Sequence, residues 1–314
     1  MLVKNNFFKK NVNKTCGRGK VMLKTKSGRD VSKLGIGTWT INKENLQNEV
    51  EVLKFYYDQN VNFIDVVLAY DSGKTLDVIA EFLKKVPRED IFVNAFITAG
   101  CEFVEDIEKQ IDTYLARLGT DYLDQVTLQS LDYIDFEFDD YVAEINRMKS
   151  TNKFLNIGYS NLDPAKLQKV ANHTNYFEGL FNLENKINED NEILKTCKEN
   201  AIPFYAYQPL RRNRTAKQNY PVLVELSQKY QKTQNQIILN WLLIHKKIGV
   251  LVKSSNKEHI AENIGALGFV MEEDDYVVLD KFRNTEFDKL LVSYKTEEGK
   301  VRIDQIPNQP IGVL

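Results

Sequence analysis

After residue 20 the chain alternates two textures. Apolar runs of four to eight residues are followed by amphipathic stretches of ten to fifteen. The runs are KLGIGTW (33–39), NFIDVV (62–67), IFVNAF (91–96), YLDQVTLQ (122–129), FLNIGYS (154–160), GLFNLEN (179–185), PFYAYQPL (203–210) and IGVLVKS (248–254). Their length and their β-branched and aromatic content predict buried strands. The segments between them predict helices. In 105–119, Ile107, Ile111, Tyr114, Leu115 and Leu118 fall on one face of a 3.6-residue period, and Gly119 supplies a C-terminal stop. Asp163 followed by Pro164 reads as an N-cap and a first-turn proline.

Eight strand–helix pairs in one chain of this length predict an α/β fold, a (β/α)8 TIM barrel. A doubly wound open sheet is the alternative, but no G-x-G-x-x-G follows the first strand. Lys20 to Arg29 predicts a hairpin with a Ser-Gly-Arg turn that closes the barrel bottom. Residues 1–18 are expected to be a flexible basic extension, and 19–314 a single barrel domain. No Pro/Gly-rich linker or low-complexity tract interrupts the pattern.

Composition narrows the partners. The formal net charge is -2 with 27% charged residues, which gives no reason to expect nucleic acid or an anionic membrane. No apolar run approaches bilayer length, and the basic N-terminus lacks the apolar stretch of a secretory signal. Cys16, Cys101 and Cys197 are far apart and show no C-x-x-C spacing, so neither a disulfide framework nor a zinc site is expected, and a reducing cytoplasm is. The segment DYIDFEFDDY (132–141) alternates aromatics and carboxylates without metal-ligand order; it reads as a loop and helix start, with a protein-partner surface as the other option.

In a barrel of this kind chemistry sits at the C-terminal strand ends. The informative residues there are Gly37-Thr38-Trp39, Asp65 with Tyr70 five residues on, Phe96, Gln129, Ser160 and Asn161, Asn182 and Glu184, Tyr207 and Gln208, and Lys253 and Ser254. His173 and His245 read as surface residues.

The segments GIGTW, NFIDVVLAY, REDIFVNAF, LGTDYLDQVTLQ, IGYSN, YAYQPL and VKSSNKEHIAEN, in this order and spacing, resemble the aldo-keto reductases from about residue 21 to 283. The resemblance implies NADPH or NADH bound across the barrel mouth and hydride transfer to a small carbonyl substrate. It also implies a catalytic tetrad of Asp, Tyr, Lys and His. Asp65 and Tyr70 match the first two. The lysine falls on Phe96 and the histidine on Gln129. For the cofactor, Lys253, Ser254, Glu262 and Asn263 match the adenosine end, and His259 stands where the family places an arginine. Tyr207 matches the ring under the nicotinamide, Ser160 and Asn161 match carboxamide contacts, and Asn182 replaces a glutamine. Gln208 ends the seventh strand. Arg211, Arg212 and Arg214 follow it and could grip a pyrophosphate or simply be solvated. Trp39 is a candidate substrate-pocket wall.

A tyrosine titrates near 10 in water and needs a neighbouring cation to protonate a carbonyl readily at neutral pH. Phe96 cannot supply one. Lys74 could reach back from the loop after Tyr70, although loop lysines are usually solvated. The expectation is therefore a barrel with impaired or repurposed carbonyl chemistry. The alternative is a non-catalytic relative that acts as a nucleotide-binding regulator or a protein scaffold.

Overall fold

The computed structural model describes residues 22–39, 41, 45–97, 106–129 and 138–284. The extension at 1–18 and the acidic-aromatic stretch before Phe138 lie outside the described residues. Strands β1 (Met22–Lys24) and β2 (Asp30–Ser32) pair antiparallel as the expected hairpin. Eight parallel strands then close a barrel: β3 (Leu34–Ile36), β4 (Phe63–Val67), β5 (Phe92–Ile97), β6 (Leu123–Leu128), β7 (Phe154–Ser160), β8 (Tyr176–Leu180), β9 (Phe204–Tyr207) and β10 (Gly249–Val252). β10 pairs with β3 to complete the ring.

Strand parity separates two packing surfaces. Ile64, Val66, Val93, Ala95, Val126, Ile157 and Phe177 point outward and join the apolar faces of the surrounding helices in one continuous core. The helix Asp106–Leu118 shows how the sequence does this. Ile107, Ile111, Tyr114 and Leu118 are its buried residues. Asp163 caps the helix Pro164–Val170 by accepting from the Lys166 amide at 2.9 Å.

Inside the barrel a lower layer of Phe63, Phe92, Tyr176, Tyr205 and Leu251 packs with Val31 of the hairpin. The ring centroids of Phe63 and Tyr205 are 4.7 Å apart, and those of Phe63 and Phe92 5.4 Å. The Tyr205 hydroxyl donates to the Ser32 carbonyl at 2.7 Å, which fixes the hairpin under the barrel. A side chain at Gly35 would meet Phe63 Cδ1 at 2.7 Å, so this layer closes only around a glycine.

Two expectations are corrected. The sixth barrel strand is Tyr176–Leu180, not the run at 179–185. The inward-facing Glu178 breaks the apolar signature of the true strand, and the more apolar GLFNL segment beyond it drew the reading downstream. His245 is half-buried rather than exposed. Its ring stacks on Tyr276 with centroids 4.7 Å apart, and its Nε2 lies 2.8 Å from Asp280 Oδ2. His173 is exposed, as expected.

Candidate active site and cofactor cleft

Above the aromatic layer the barrel interior becomes polar. Asp65 follows Phe63 by two positions on β4, and Asn94 follows Phe92 by two on β5. The Asn94 amide donates to Asp65 Oδ1 at 2.8 Å. Its carbonyl oxygen accepts from Thr127 Oγ1 at 2.6 Å and from Gln125 Nε2 at 2.9 Å. Gly158 on β7 leaves room for this chain of amides: a Cβ there would meet Thr127 Oγ1 at 2.5 Å and Gln125 Nε2 at 2.8 Å. From the opposite side β8 contributes Glu178, whose Oε2 accepts from the Tyr176 hydroxyl at 2.6 Å.

The interior thus holds two buried carboxyl groups, Asp65 and Glu178. Burial pushes Asp65 up to about 8, with the Asn94 hydrogen bond opposing the rise. Burial, then the Asp65 charge, pushes Glu178 well above the usual carboxylate range, against the pull of Tyr176. Both groups are therefore biased toward the neutral acid near neutral pH.

Tyr70 stands at the mouth, in the turn that follows β4. Helix Asp106–Leu118 fixes this corner. The Tyr114 hydroxyl donates to the Phe96 carbonyl at 2.6 Å and accepts from the Leu68 amide at 2.6 Å. The Tyr70 phenol is raised, by burial first and then by Asp65, Glu178 and Tyr207. None of these groups is a cation, and each makes the proton harder to release. Phe96 is 5% exposed on β5, inward by the parity of Phe92 and Asn94 and paired with Val67 and Thr127. Gln129 continues the inward parity of Gln125 and Thr127 at the end of β6. Lys74 is exposed at the start of the helix Lys74–Leu83. Trp39 lies 6.4 Å from Tyr70 between ring centroids, and the Arg212 guanidinium covers its ring at 3.7 Å.

The nicotinamide-side candidates come together. Ser160 on β7 is buried and pairs in register with Glu178. The Tyr207 hydroxyl donates to Asn161 Oδ1 at 3.1 Å. Asn182 does not join them. It sits in the loop after β8, where its side-chain oxygen accepts from the amides of Glu184 at 3.0 Å and Asn185 at 2.9 Å. Its amide donates to the Gln208 carbonyl at 3.4 Å. Gln208 itself has a left-handed φ of 51° and opens the loop after β9.

That loop is held by Glu184. Its carboxylate accepts from Thr215 at 2.8 Å and from Tyr220, and it pairs with Arg211. Burial would raise this acid, but these donors hold it below the usual carboxylate range. Arg211 is thus committed to Glu184, and Arg214 is exposed.

Among the candidates for the adenosine end, Lys253 and Ser254 follow β10 and lead to the N-terminus of the helix Lys257–Gly265. Asn256 caps this helix by accepting from the amides of Glu258 at 2.7 Å and His259 at 3.2 Å. The Ser254 amide donates to the Tyr56 hydroxyl at 3.2 Å. Lys253 Nζ lies 3.6 Å from Glu49 Oε1, which also accepts from Ser255 at 2.6 Å. His259 is exposed, Asn263 is buried, and Glu262 accepts from Thr233 at 2.6 Å.

Sequence reading missed Glu178 and Glu49. The signal for Glu178 was a lone carboxylate two residues from both Tyr176 and Leu180, inside an otherwise apolar run. Among the described residues, no group of three or more His, Cys, Asp or Glu side chains could hold a metal ion. Nor is any described helix long and apolar enough to cross a membrane.

A closed parallel (β/α)8 barrel with an aspartate under a tyrosine at its mouth is the arrangement that the sequence resemblance implied. A sequence model described as Aldo/keto reductase family matches residues 33–284. The chain belongs to that family. It is 24% identical over 283 residues to methylglyoxal reductase YeaE of Escherichia coli, covering 87% of this chain and 94% of that protein. Among solved structures it is similar to the thermostable aldo-keto reductase Tm1743 in complex with the inhibitor epalrestat, with a TM-score of 0.76 and 24% identity over 82% of this chain and 98% of that one. It is also similar to an aldo-keto reductase from Klebsiella pneumoniae in complex with NADPH, with a TM-score of 0.75 and 22% identity over 83% and 94%.

Proposed function

We propose that this protein binds a nicotinamide nucleotide across the barrel mouth and is impaired in ordinary carbonyl reduction. The groups present suit such a nucleotide at both ends. Tyr207, Ser160 and Asn161 form one polar corner, and Lys253 and Ser254 lead into a capped helix N-terminus at the other. Between them the Thr38 hydroxyl is buried without a hydrogen-bond partner among the described residues. When bound, the nucleotide would supply hydride. The similar Klebsiella protein carries NADPH, which supports the same class of cofactor here.

The observation that carries the impairment is the environment of Tyr70. Its phenol is acted on by Asp65, Glu178 and Tyr207, while Phe96 takes the inward place on the neighbouring strand β5. Every influence holds the proton in place, whereas carbonyl reduction needs it delivered to the developing alkoxide. Loss of that assistance lowers the rate roughly 10²–10⁴-fold, on the order of 3–5 kcal/mol of barrier. Gln129 remains able to donate a hydrogen bond to a substrate oxygen.

A titration tests the reading. Quenching of intrinsic fluorescence by NADPH or NADH at micromolar affinity, with slow turnover on a carbonyl panel that includes methylglyoxal, is the expected result. Binding with no turnover on any carbonyl would favour the second reading, a nucleotide-binding regulator or scaffold, which the same Phe96 and Gln129 positions motivate. Efficient turnover would refute the impairment, and no binding would refute both readings.

A further inference from the structure

We propose that Glu178 determines which redox form of the nucleotide the barrel retains, favouring the oxidised, cationic nicotinamide over the neutral reduced ring. This inference rests on the nucleotide-binding reading above. It starts from the sheet register, in which Glu178 is the partner of Ser160 and its carbonyl accepts from the Asn161 amide at 3.2 Å. Leu180, two positions on, pairs with Tyr207, whose hydroxyl donates to Asn161. Glu178 is thus a strand neighbour of Ser160 and Asn161, and its charge also acts on Tyr207 from β9.

Among the described residues, the groups that act on it are acidic or neutral. Asp65 faces it from β4 and Tyr70 from the turn that follows; Tyr176 lies on its own strand, and Tyr205 and Tyr207 come from β9. Asn94, Gln125 and Thr127 add uncharged dipoles. Phe96 fills the interior on the side where a lysine would have neutralised the pair.

The two redox forms share their phosphates and adenosine and differ by one positive charge on the ring. A carboxyl beside that ring is the feature able to tell them apart. The ring cation favours ionisation of Glu178, so binding of the oxidised form sends a proton from the carboxyl pair to solvent. The reduced form leaves the proton where it is. The π faces of Tyr70 and Tyr207 add attraction for the same cation. Attraction between unit charges a few ångströms apart in a partly buried site, less the cost of ionising the acid, corresponds to an affinity ratio on the order of tenfold.

The test is isothermal calorimetry on the full chain with NADP+, NADPH, NAD+ and NADH across pH 6–9, for the wild type, Glu178→Gln and Glu178→Asp. The oxidised forms should tighten about tenfold as pH rises. They should also release a proton, read as a buffer-dependent heat, while the reduced forms stay flat. Glu178→Gln should weaken only the oxidised forms and reduce the pH slope to the share that Asp65 supplies, and Glu178→Asp should restore it. A merely structural role would move both redox forms together, and that result would overturn the inference. If Glu178→Gln does not fold, the wild-type profile decides: equal, pH-independent affinities for the two forms would refute it. Failure of every nucleotide to bind would sink the parent reading along with this one, whereas tight binding with a ratio indifferent to Glu178 overturns this inference alone.

Discussion

Replacing Phe96 by lysine and Gln129 by histidine should switch on carbonyl reduction. Phe96 lies two positions beyond Asn94, whose amide reaches Asp65 at 2.8 Å, so a lysine there runs along the same interior toward the carboxyl and the phenol. An ammonium about 5 Å from Tyr70, at an effective dielectric near 20, favours the phenolate by roughly 3 kcal/mol. That is about two pKa units, before the cost of burying the lysine is subtracted. The substitution also removes a ring that is 5% exposed. Truncation of a buried Phe to Ala costs about 3–5 kcal/mol, and the lysine stem recovers part of it. Pairing with Asp65 and Glu178, now ionised, offsets more. The assay is oxidation of NADPH in the presence of a reactive aldehyde, with circular dichroism and nucleotide binding as controls. Turnover should rise about 10²-fold or more. A folded double variant that binds NADPH and shows no gain would refute the assignment of Phe96 to the missing cation's place.

Three further outcomes follow from the same geometry. Gly158→Ala drives a methyl against Thr127 and Gln125 and should lower stability by about 1–3 kcal/mol in urea melts, while a neutral result would mean that the amide chain can shift freely. Asp65→Asn should stabilise the fold increasingly as pH rises from 4 to about 8, because the wild-type carboxyl binds its proton more tightly folded than unfolded and so loses stability across that window; a pH-independent difference between variant and wild type would contradict the raised acid. Glu184→Gln should cost about 1–3 kcal/mol at neutral pH by removing the charge that accepts from Thr215 and Tyr220 and pairs with Arg211. That loss should shrink as acid protonates the wild-type carboxylate, whose folded affinity for protons is depressed; an unchanged melt would show that the loop after β9 does not depend on this pair.

The barrel was legible because its strands are buried on both faces almost throughout, Leu155 of β7 being an exposed exception, so they read as short apolar runs whatever their neighbours do. Asp65 was legible as one charge in the middle of such a run, between Phe63-Ile64 and Val66-Val67, with a tyrosine in the following turn. The same logic applied to TNYFEGL would have found Glu178. It was lost because a charge in mid-strand, flanked by glycine, looks like a break rather than an inward position. Asn182 falls in the loop after that strand, where its amide reaches the Gln208 carbonyl at 3.4 Å. The pairing of Arg211 with Glu184 was not legible. Which cation meets which carboxylate is decided by loops 27 residues apart, and no periodicity encodes that. Glu49 hid among Val50, Val52, Leu53 and Tyr56 on the buried face of its helix, where a carboxylate is not expected without a partner such as Ser255.

The most direct measurement is the titration of Tyr70 itself. Carbon-13 NMR of ring-labelled tyrosine, assigned by comparison with Tyr70→Phe, reports the phenol–phenolate equilibrium of this one ring. The account predicts a phenol that stays protonated above pH 10, where a free tyrosine is half ionised. A phenolate forming well below that pH would mean that a cation does reach the Tyr70 oxygen, and the case for a silenced proton donor would fall.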